Sequence, residues 1–520
     1  MARGTLAIAG ATFAMLASYP GSAQDDWKTE ANARIEQIRK RDAQIVVVDR
    51  DGIPVAGLPV DVDQRRHRFA FGTAVSGSLL SDEHYRRFFY GHFEWAVLEN
   101  DSKWIINEPW RDFETYARAD AILSQLEQHG IRVRGHCLFW AKEEYVPPWA
   151  RELPDGELQA EIDERIDHAV PHFGERFLHW DVNNEMLDGH FFDDHLGPDI
   201  NAYMFRRTHE LHPAARLFTN DYNIIAGSEA RTQSYIDQVR GLIARGAPVH
   251  AVGVQGHFWG DTVDPLQILA RLDQLSVLGL PVWVTEYDAV DSNAVRRADK
   301  LENLYRAAFS HPTVEGILMW GFWAGSHWRG EDAAIVDLDW TVNAAGERYG
   351  ALISEWTTHA AGASDPDGVF GFRGFHGSYR VTVQPPVGDP VLAEIELEPG
   401  DGVAAFLVPL VPGSCFPASE VRDLALREDA QGTALAWSPL PRRSDMSLAY
   451  DVLRASDPSG FADGACVESA GADESSRDDV EPPAGSAFHY LVRGVYGCPE
   501  GRGSLGSASD GTPRQGRGCP

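Results

Sequence analysis

The feature that most constrains the fold of this chain is a strand-like run that recurs eight times between residues 69 and 322. Segments with the helical spacing of apolar residues lie between the runs, as is typical of successive βα units. Eight such units predict an α/β fold, a (β/α)8 barrel. A doubly wound open sheet is the alternative, but it normally shows a Gly-rich phosphate loop after its first strand, and the sequence has none there. The runs are 69–75, 95–100, 132–140, 179–185, 216–222, 251–257, 282–288 and 316–322.

Polar and aromatic residues close nearly every one of these runs. In a parallel barrel, the carboxyl ends of the strands lie together and carry the active site. Glu185 ends the fourth run and Glu286 lies in the seventh, so we expect the two carboxyl groups to face each other across the barrel mouth. Cleavage of a glycosidic bond needs one carboxylic acid to protonate the leaving oxygen and one carboxylate on the other side of the sugar ring. A structural ion pair is the alternative interpretation of either Glu alone.

The segments outside the barrel predict an exported protein with a second folded unit. Arg3 precedes an apolar stretch at residues 6–17, and small residues at 21–23 offer a cleavage site, which is typical of a secretory signal peptide. An uncleaved anchor is the alternative, but the stretch is short for a membrane span. We therefore expect a secreted protein, extracellular or periplasmic. The predicted boundaries are 1–23 signal peptide, 24–66 helix and strand cap, 67–360 barrel, 361–415 β extension and linker, and 416–520 a small disulfide-containing β-sandwich, fibronectin type III-like.

The cysteines indicate disulfide bridges, and the net charge limits the classes of binding partner. Four cysteines cluster near the carboxyl terminus and predict two disulfides, with the connectivity left open, whereas Cys137 is expected to be a buried free thiol. The net charge of -31 argues against nucleic acid and anionic membranes as partners, because both bind basic surfaces. We expect a monomer without a metal or other cofactor. The clustered cysteines are Cys415, Cys466, Cys498 and Cys519.

Six motifs, GHCLFW, WDVNNE, NDYN, GVQGH, TEYD and WGFW, follow one another along residues 135–323. Together they resemble glycoside hydrolase family 10, the endo-1,4-β-xylanases, and most closely its plant-like branch. The resemblance covers residues 26–385 and implies a (β/α)8 barrel that hydrolyses β-1,4-xylan with retention. It implies that Glu185 is the general acid/base and Glu286 the nucleophile.

The resemblance also implies ten substrate-binding residues. Asn184 matches the residue that hydrogen-bonds the sugar 2-hydroxyl, and His257 matches the residue that orients the nucleophile. Asp181 and Asp288 are expected to support neighbouring loops by accepting hydrogen bonds. The other eight substrate-binding residues are Glu99, Asn100 and Lys103 on the non-reducing side, His136 and Trp140 at the floor of the subsite of the cleaved sugar, Gln255 as a further polar contact, and Trp320 and Trp328 in the cleft wall.

Several departures from the family pattern bear on the outer subsites. Ala141 stands where many members carry His, Phe93 stands where others often carry a polar residue, and Phe322-Trp323 is expected to add aromatic bulk beside Trp320. Two other functions stay open: hydrolysis of another β-1,4-glycan, and non-catalytic polysaccharide binding on a degenerate barrel. Aromatic residues of the last unit are more typical of sandwich core than of a carbohydrate site. They are Trp437, Tyr450, Phe488 and Tyr490.

Overall fold

A computed structural model of the protein describes residues 23–260, 262–458, 461–462, 464–507, 511–514 and 516–519. The predicted signal peptide lies outside these described residues, apart from its last position. The described chain begins with helix α1 (Ala23–Ile38) and strands β1 (Lys40–Val48) and β2 (Pro59–His67). None of the helices in this described part has the length and hydrophobicity that a membrane span requires.

Ten strands follow, and eight of them form a parallel barrel in sequence order. The last barrel strand pairs with the first, Gly316 opposite Ala70, so the sheet is closed. The predicted (β/α)8 barrel is thus confirmed, and the open sheet is excluded. The two remaining strands, β6 and β10, are short extensions beside the barrel mouth. The ten are β3 (Ala70–Val75), β4 (Trp95–Leu98), β5 (Arg132–Gly135), β6 (Phe139–Trp140), β7 (His179–Asn184), β8 (Arg216–Asp221), β9 (Ala251–Val254), β10 (His257–Phe258), β11 (Val282–Ala289) and β12 (Val314–Met319).

The helices pack around the outside of the barrel, and several begin at a polar side chain that caps free backbone N–H groups. Asp264 accepts from the N–H of Leu266, and Asn293 and Asn343 cap the last two helices in the same way. The helices are α2 (Ser78–Ser81), α3 (Glu83–His92), α4 (Trp104–Asn107), α5 (Ala117–Gln128), α6 (Asp155–Phe173), α7 (Phe191–Leu196), α8 (Ile200–Leu211), α9 (Glu229–Ala244), α10 (Pro265–Ser276), α11 (Ala294–Phe309) and α12 (Ala344–Glu355).

Large side chains fill the barrel interior below its mouth. Trp95, Phe218, Trp283 and Leu318 belong to one buried cluster, and the rings of Trp95 and Trp283 meet edge to face at 5.0 Å. Trp320 belongs to the same cluster and lies at the mouth. A packed interior of this kind gives the residues at the strand ends a rigid base.

The segments before and after the barrel form one small sandwich of two sheets. β1 pairs with β14 and β17, while β2 pairs with β13 and β15. The boundaries predicted from the sequence place these strands in separate segments, 24–66 and 361–415, and the pairing joins them. Their shared core includes Ile45, Val60 and Val381. The later strands are β13 (His359–Ala363), β14 (Val369–Phe375), β15 (Gly377–Val383), β16 (Val391–Leu397) and β17 (Ala404–Pro409).

A second small β-sandwich follows. Its two three-stranded sheets enclose Trp437 and Tyr450, and Tyr490 is buried with them, so these rings are core and not a carbohydrate-binding surface. Disulfides Cys415–Cys498 and Cys466–Cys519 give the two predicted bridges, and Cys137 is a buried free thiol. The fibronectin type III-like assignment stays a prediction. The strands are β18 (Ala425–Asp429), β19 (Gly432–Ala436), β20 (Leu448–Ala455), β21 (Ala465–Gly471), β22 (Ser475–Asp478) and β23 (His489–Tyr496).

Candidate active site

A cavity of about 580 Å³ opens at the carboxyl ends of the barrel strands. Both predicted catalytic glutamates line it, together with nine of the ten predicted substrate-binding residues. The exception is Asn184, which is fully buried at the end of β7. The structure therefore brings the predicted residues together in one place. The nine are Glu99, Asn100, Lys103, His136, Trp140, Gln255, His257, Trp320 and Trp328.

A larger cavity, of about 830 Å³, lies at the opposite ends of the same strands. Trp95, Arg132 and His179, each the first residue of its strand, line this cavity. Active sites of this fold are built at the carboxyl ends of the strands. Neither Glu185 nor Glu286 is among the described residues that line the larger cavity, so the smaller one is the candidate active site.

Glu185 follows β7 with a φ of 60°, a conformation that residues other than glycine rarely adopt. Its backbone N–H donates to the Asn220 carbonyl at 2.9 Å. Its side chain has two close partners: Gln255 Nε2 donates to Oε1 at 2.8 Å, and Lys142 Nζ lies 2.8 Å from Oε2. Backbone strain of this kind persists only where surrounding contacts hold it, and it concentrates at functional sites.

Lys142 is the cation that contacts Glu185, and it is not among the residues predicted from the sequence. Its Nζ also lies 3.4 Å from the Tyr222 hydroxyl and 4.4 Å from the centre of that ring. Burial disfavours the charged ammonium, but the hydrogen bond and charge of Glu185 outweigh burial and raise the pKa of Lys142. The departure at Ala141 marks this stretch as unusual, yet nothing in the sequence shows that the next side chain reaches Glu185.

Glu286 lies within β11 and is 4% exposed. Asn220 Nδ2 donates to its Oε1 at 2.7 Å, and His257 Nε2 lies 3.1 Å from its Oε2. Burial alone would raise its pKa, but the electrostatic interaction with His136 and the hydrogen bond and charge of His257 lower that pKa to about 2. Glu286 is therefore ionised near neutral pH.

His257 lies between two carboxylates. Its Nε2 faces Glu286, and its Nδ1 lies 3.0 Å from Asp288 Oδ2. Burial alone would lower the pKa of His257, but Asp288 and Glu286 raise it to about 9. Asp288 also accepts hydrogen bonds from Trp328 Nε1, at 2.7 Å, and from Arg329. Asp288 thus makes the supporting contacts expected from the sequence, and a charged imidazolium stands beside Glu286.

A second histidine is held from the barrel interior. His136 Nδ1 lies 2.8 Å from Asp181 Oδ2, and Arg134 donates two hydrogen bonds to the same carboxylate at 2.6 and 2.7 Å. All three side chains are at most 1% exposed. Arg134 neutralises the buried Asp181 carboxylate, because an unpaired charge at this depth is costly. The carboxylate that this pair holds in place fixes the imidazole of His136 in one orientation. His136 Nδ1 comes within 3.8 Å of Glu286 Oε1.

Asn220 connects the surroundings of the two glutamates. Its Nδ2 donates to Asn184 Oδ1 at 3.0 Å as well as to Glu286, and its Oδ1 accepts from the Thr285 hydroxyl at 2.6 Å. Nδ2 of Asn184 is buried without a hydrogen-bond partner among the described residues. Asn220 is not one of the predicted site residues, although it begins the NDYN motif. A motif shows that a segment resembles a family, but not which of its side chains reaches a carboxylate.

Polar residues on the loop after β4 line one end of the cavity. Lys103 Nζ donates to Asn100 Oδ1 at 2.9 Å and lies 4.8 Å from the centre of the Trp140 ring. Burial raises the pKa of the neighbouring Glu99, although the charge of Lys103 opposes this effect. These three residues, predicted on the non-reducing side of the cleaved bond, thus form one connected group.

Aromatic rings supply flat walls to the same cavity. Tyr145 stacks on Trp140 with ring centres 3.6 Å apart. Trp320 is buried against His136, whereas Trp328 is 48% exposed at the rim. Flat apolar surfaces beside a few polar groups are typical of small-molecule sites and suit the faces of sugar rings.

The aromatic departures noted in the sequence lie elsewhere. Phe322 is 1% exposed and packs against Tyr85 at 4.4 Å and Phe93 at 5.7 Å. Trp323 stacks on Trp340 at 4.5 Å. Both Phe93 and Phe322 are buried and therefore belong to the packing between strands and helices. Trp320 lines the cavity but neither Phe322 nor Trp323 is among the described residues that do, so the aromatic bulk expected beside Trp320 does not reach the cavity.

Comparison with known proteins agrees with this geometry. Residues 62–347, more than half of the chain, match the model of Glycosyl hydrolase family 10. The chain belongs to glycosyl hydrolase family 10. The match confirms the resemblance drawn from the six motifs, and it spans all eight barrel strands and every residue that contacts Glu185 or Glu286 above.

Two curated relatives match most of the chain. The chain is 48% identical to anti-sigma-I factor RsgI6 of Acetivibrio thermocellus over 376 residues. The aligned residues cover 72% of this chain and 49% of that protein. It is 37% identical over 377 residues to endo-1,4-beta-xylanase 1 of Arabidopsis thaliana, 72% of this chain and 40% of that protein. The chain therefore spans about half or less of these relatives, and the Arabidopsis match confirms the plant-like branch.

A solved structure shows the same fold. Xylanase 10B from Thermotoga petrophila RKU-1, in complex with xylobiose, aligns with a TM-score of 0.51 at 24% sequence identity. The alignment covers 55% of this chain and 94% of that one. At this identity the likeness bears on the fold alone, and it agrees with the closed barrel described above.

Proposed function

We propose that this family 10 protein is an endo-1,4-β-xylanase that hydrolyses internal bonds of xylan with net retention. One observation carries the proposal: a buried, ionised Glu286 and a second carboxyl, Glu185, line the same cavity. The names of the relatives support it, because the Arabidopsis protein is an endo-1,4-beta-xylanase and the Thermotoga xylanase holds xylobiose.

In the first step, Glu286 is the nucleophile. A carboxylate oxygen of Glu286 bonds to the anomeric carbon while the bond from that carbon to the leaving oxygen breaks. Glu185, which the structure pairs with Lys142, must carry a proton in this step; it is the general acid and gives that proton to the leaving oxygen. One part of the xylan chain departs, and the other stays joined to Glu286.

In the second step, Glu185 has become a carboxylate and takes a proton from water. The water oxygen bonds to the anomeric carbon, and the bond to Glu286 breaks. Each step inverts the anomeric carbon, so the two steps together retain its configuration. The positive His257 stabilises the negative charge that returns to Glu286.

The remaining predicted residues bind the sugars in this proposal. Nδ2 of Asn184 donates to the 2-hydroxyl, a contact that strengthens in the transition state. Trp320 and Trp328 pack on sugar faces, and Lys103 with its neighbours holds the sugar on the non-reducing side. Gln255 donates to Glu185 in the structure, so we assign it the positioning of that carboxyl besides any sugar contact.

We also propose that the protein is exported as a monomer. The signal-like segment at residues 1–23 supports export, and so do the two disulfides of the second sandwich, because disulfides persist in oxidising compartments. The exported protein should begin at Gln24 by amino-terminal sequencing and should sediment as one copy.

Reducing ends released from xylan test the activity. The wild-type protein should release them, and Glu286→Ala should abolish the release. Glu144→Ala is the matched control, because Glu144 is an exposed carboxylate near the cavity that does not line it. Xylan that binds without release would favour a non-catalytic binding protein, and faster release from a β-1,4-glucan would favour a different glycan.

Two measurements test the mechanism. Proton magnetic resonance during hydrolysis should show the β-anomer of the product first, and the α-anomer first would mean inversion. Glu185→Ala should keep the first step on substrates with an activated aryl leaving group, which needs little help from an acid, whereas Glu286→Ala should lose it. Equal loss in both variants would undo the assignment of acid and nucleophile.

A further inference from the structure

Two aromatic side chains stand exposed on the turn that follows α4. Trp110 is 67% exposed and Phe113 is 53% exposed. Their rings meet edge to face with centres 5.6 Å apart, so they form one surface, which we call the Trp110–Phe113 platform. Single exposed apolar residues are common on proteins, but two large rings held together in water form a surface suited to a ligand.

The turn that carries this platform is fixed from several sides. The Phe113 N–H donates to the Trp110 carbonyl at 3.0 Å, and the Asp112 N–H donates to Glu108 Oε1 at 3.0 Å. The other oxygen of Glu108 accepts from the buried Trp104 indole at 2.8 Å. Because these contacts fix the backbone, the two rings need little further ordering when they bind a partner.

Two ion pairs hold the same turn against α6. Arg111 lies 2.9 Å from Glu157 and 2.6 Å from Glu161, both on α6. The charged side chain of Arg111, which lies between Trp110 and Phe113 in the sequence, is thus held against the helix by two carboxylates. The rings are left as the exposed apolar part of the turn.

The platform follows closely in the chain after two residues of the wall of the candidate active site. Ile105 and Ile106 line the cavity, and Ile106 is 46% exposed. Trp110 follows Ile106 by four positions, so their Cα atoms are separated by at most about 14 Å. That distance is the length of a few sugar units. Lys103, assigned above to the non-reducing side, immediately precedes α4, and the platform immediately follows that helix, so α4 joins the two in the chain.

We propose that the Trp110–Phe113 platform is a distal binding site for xylan, where a sugar of the non-reducing arm of a long chain stacks on the exposed rings. The proposal rests on the xylanase function proposed above and specifies the length of substrate that the enzyme prefers. A neutral, flat sugar ring suits two uncharged aromatic rings. Short substrates that fill only the cavity do not reach the platform.

Hydrolysis of substrates of different length tests the platform. In the double variant Trp110→Ala/Phe113→Ala, kcat/KM for polymeric xylan and xylohexaose should fall about 5- to 30-fold, the effect of losing one or two aromatic contacts. For xylotriose it should stay within twofold. The variant Trp110→Phe/Phe113→Ala should recover part of the loss seen in the double alanine variant, because it keeps a ring at position 110. Both changed residues are exposed, so the melting temperature should change little.

The outcomes separate the platform from the proposed function. If the wild-type protein cleaves no xylan, the proposed function fails and the platform proposal with it. If the wild type cleaves xylan and the double variant matches it on xylohexaose, only the platform proposal fails. An equal loss on xylotriose and xylohexaose would also overturn it. A wild type that dimerises, with a monomeric double variant of unchanged activity, would assign the surface to a second copy instead.

Discussion

Replacing His257 with Asn should raise the pH at which the enzyme loses activity on the acid side. Glu286 attacks as a carboxylate, and its pKa of about 2 keeps it ionised. The substitution removes an imidazolium 3.1 Å from Oε2, and burial, which raises the pKa of Glu286, is then less opposed. The pKa of Glu286 must rise, so the nucleophile becomes protonated at a higher pH.

The size of the change follows from the geometry. Two unit charges 3.1 Å apart attract by about 5 kcal/mol at an effective dielectric constant of about 20, which corresponds to about 4 pKa units. This is an upper limit, because His136 and Asn220 remain and water replaces part of the lost interaction. An opposite charge at this range commonly shifts a carboxyl by about 1 to 3 units. The acid limb should therefore move from near pH 2 to between about pH 3 and pH 5.

The assay is kcat/KM for an aryl xylobioside as the pH is lowered from neutral, with recovery of activity after return to neutral pH as the test of stability. His327→Asn is the matched control, because burial lowers the pKa of His327 to about 4 and leaves it uncharged over most of the range. The control should leave the acid limb in place. If the acid limb of His257→Asn stays at the pH of the wild-type acid limb, or moves to a lower pH, the reasoning is refuted.

Three further predictions concern stability. Asp181→Asn leaves the buried Arg134 without its charge partner and should lower the free energy of unfolding in urea by about 3 to 5 kcal/mol, whereas an unchanged midpoint would contradict a tight pair. Gly135→Ala places a methyl group 2.6 Å from the rings of Phe177 and Trp180 and should cost about 1 to 3 kcal/mol, seen as a lower melting temperature. Reduction of both disulfides should destabilise the second sandwich by about 2 to 5 kcal/mol per bridge, yet leave xylan cleavage at 25 °C intact; parallel loss of activity would count against a separate module.

The barrel strands are predictable because each carries apolar and β-branched residues within a polar sequence. β11 is buried at every position from Val282 to Ala289, and such a run stands out without any knowledge of its partners. Boundaries are less predictable. The run 251–257 is continuous in the sequence but forms two strands, because Gly256 at φ 83° breaks the extended backbone between β9 and β10.

The contacts within the site were only partly predictable. Motifs place Glu185 just after one barrel strand and Glu286 in the carboxyl-terminal half of another, and the carboxyl ends of parallel barrel strands meet, so their shared cavity follows from sequence and topology. The partner of Glu185 does not follow, because whether Lys142 bends toward the cavity depends on loop geometry that no local pattern encodes. The same holds for Asn220, whose amide reaches Glu286 from a different strand.

The pairing of β1 with β17 has a consequence for the order in which the protein can be made. Ala43 pairs with Ala404, so the second partner of β1 leaves the ribosome only after every barrel strand has been synthesised. The first sandwich therefore closes only after the barrel strands have been made, and until then the nascent chain carries an unpaired strand edge, which favours pairing with other chains. A chain shortened to end after the barrel would keep that open edge permanently and should aggregate, although it retains every residue of the catalytic cavity.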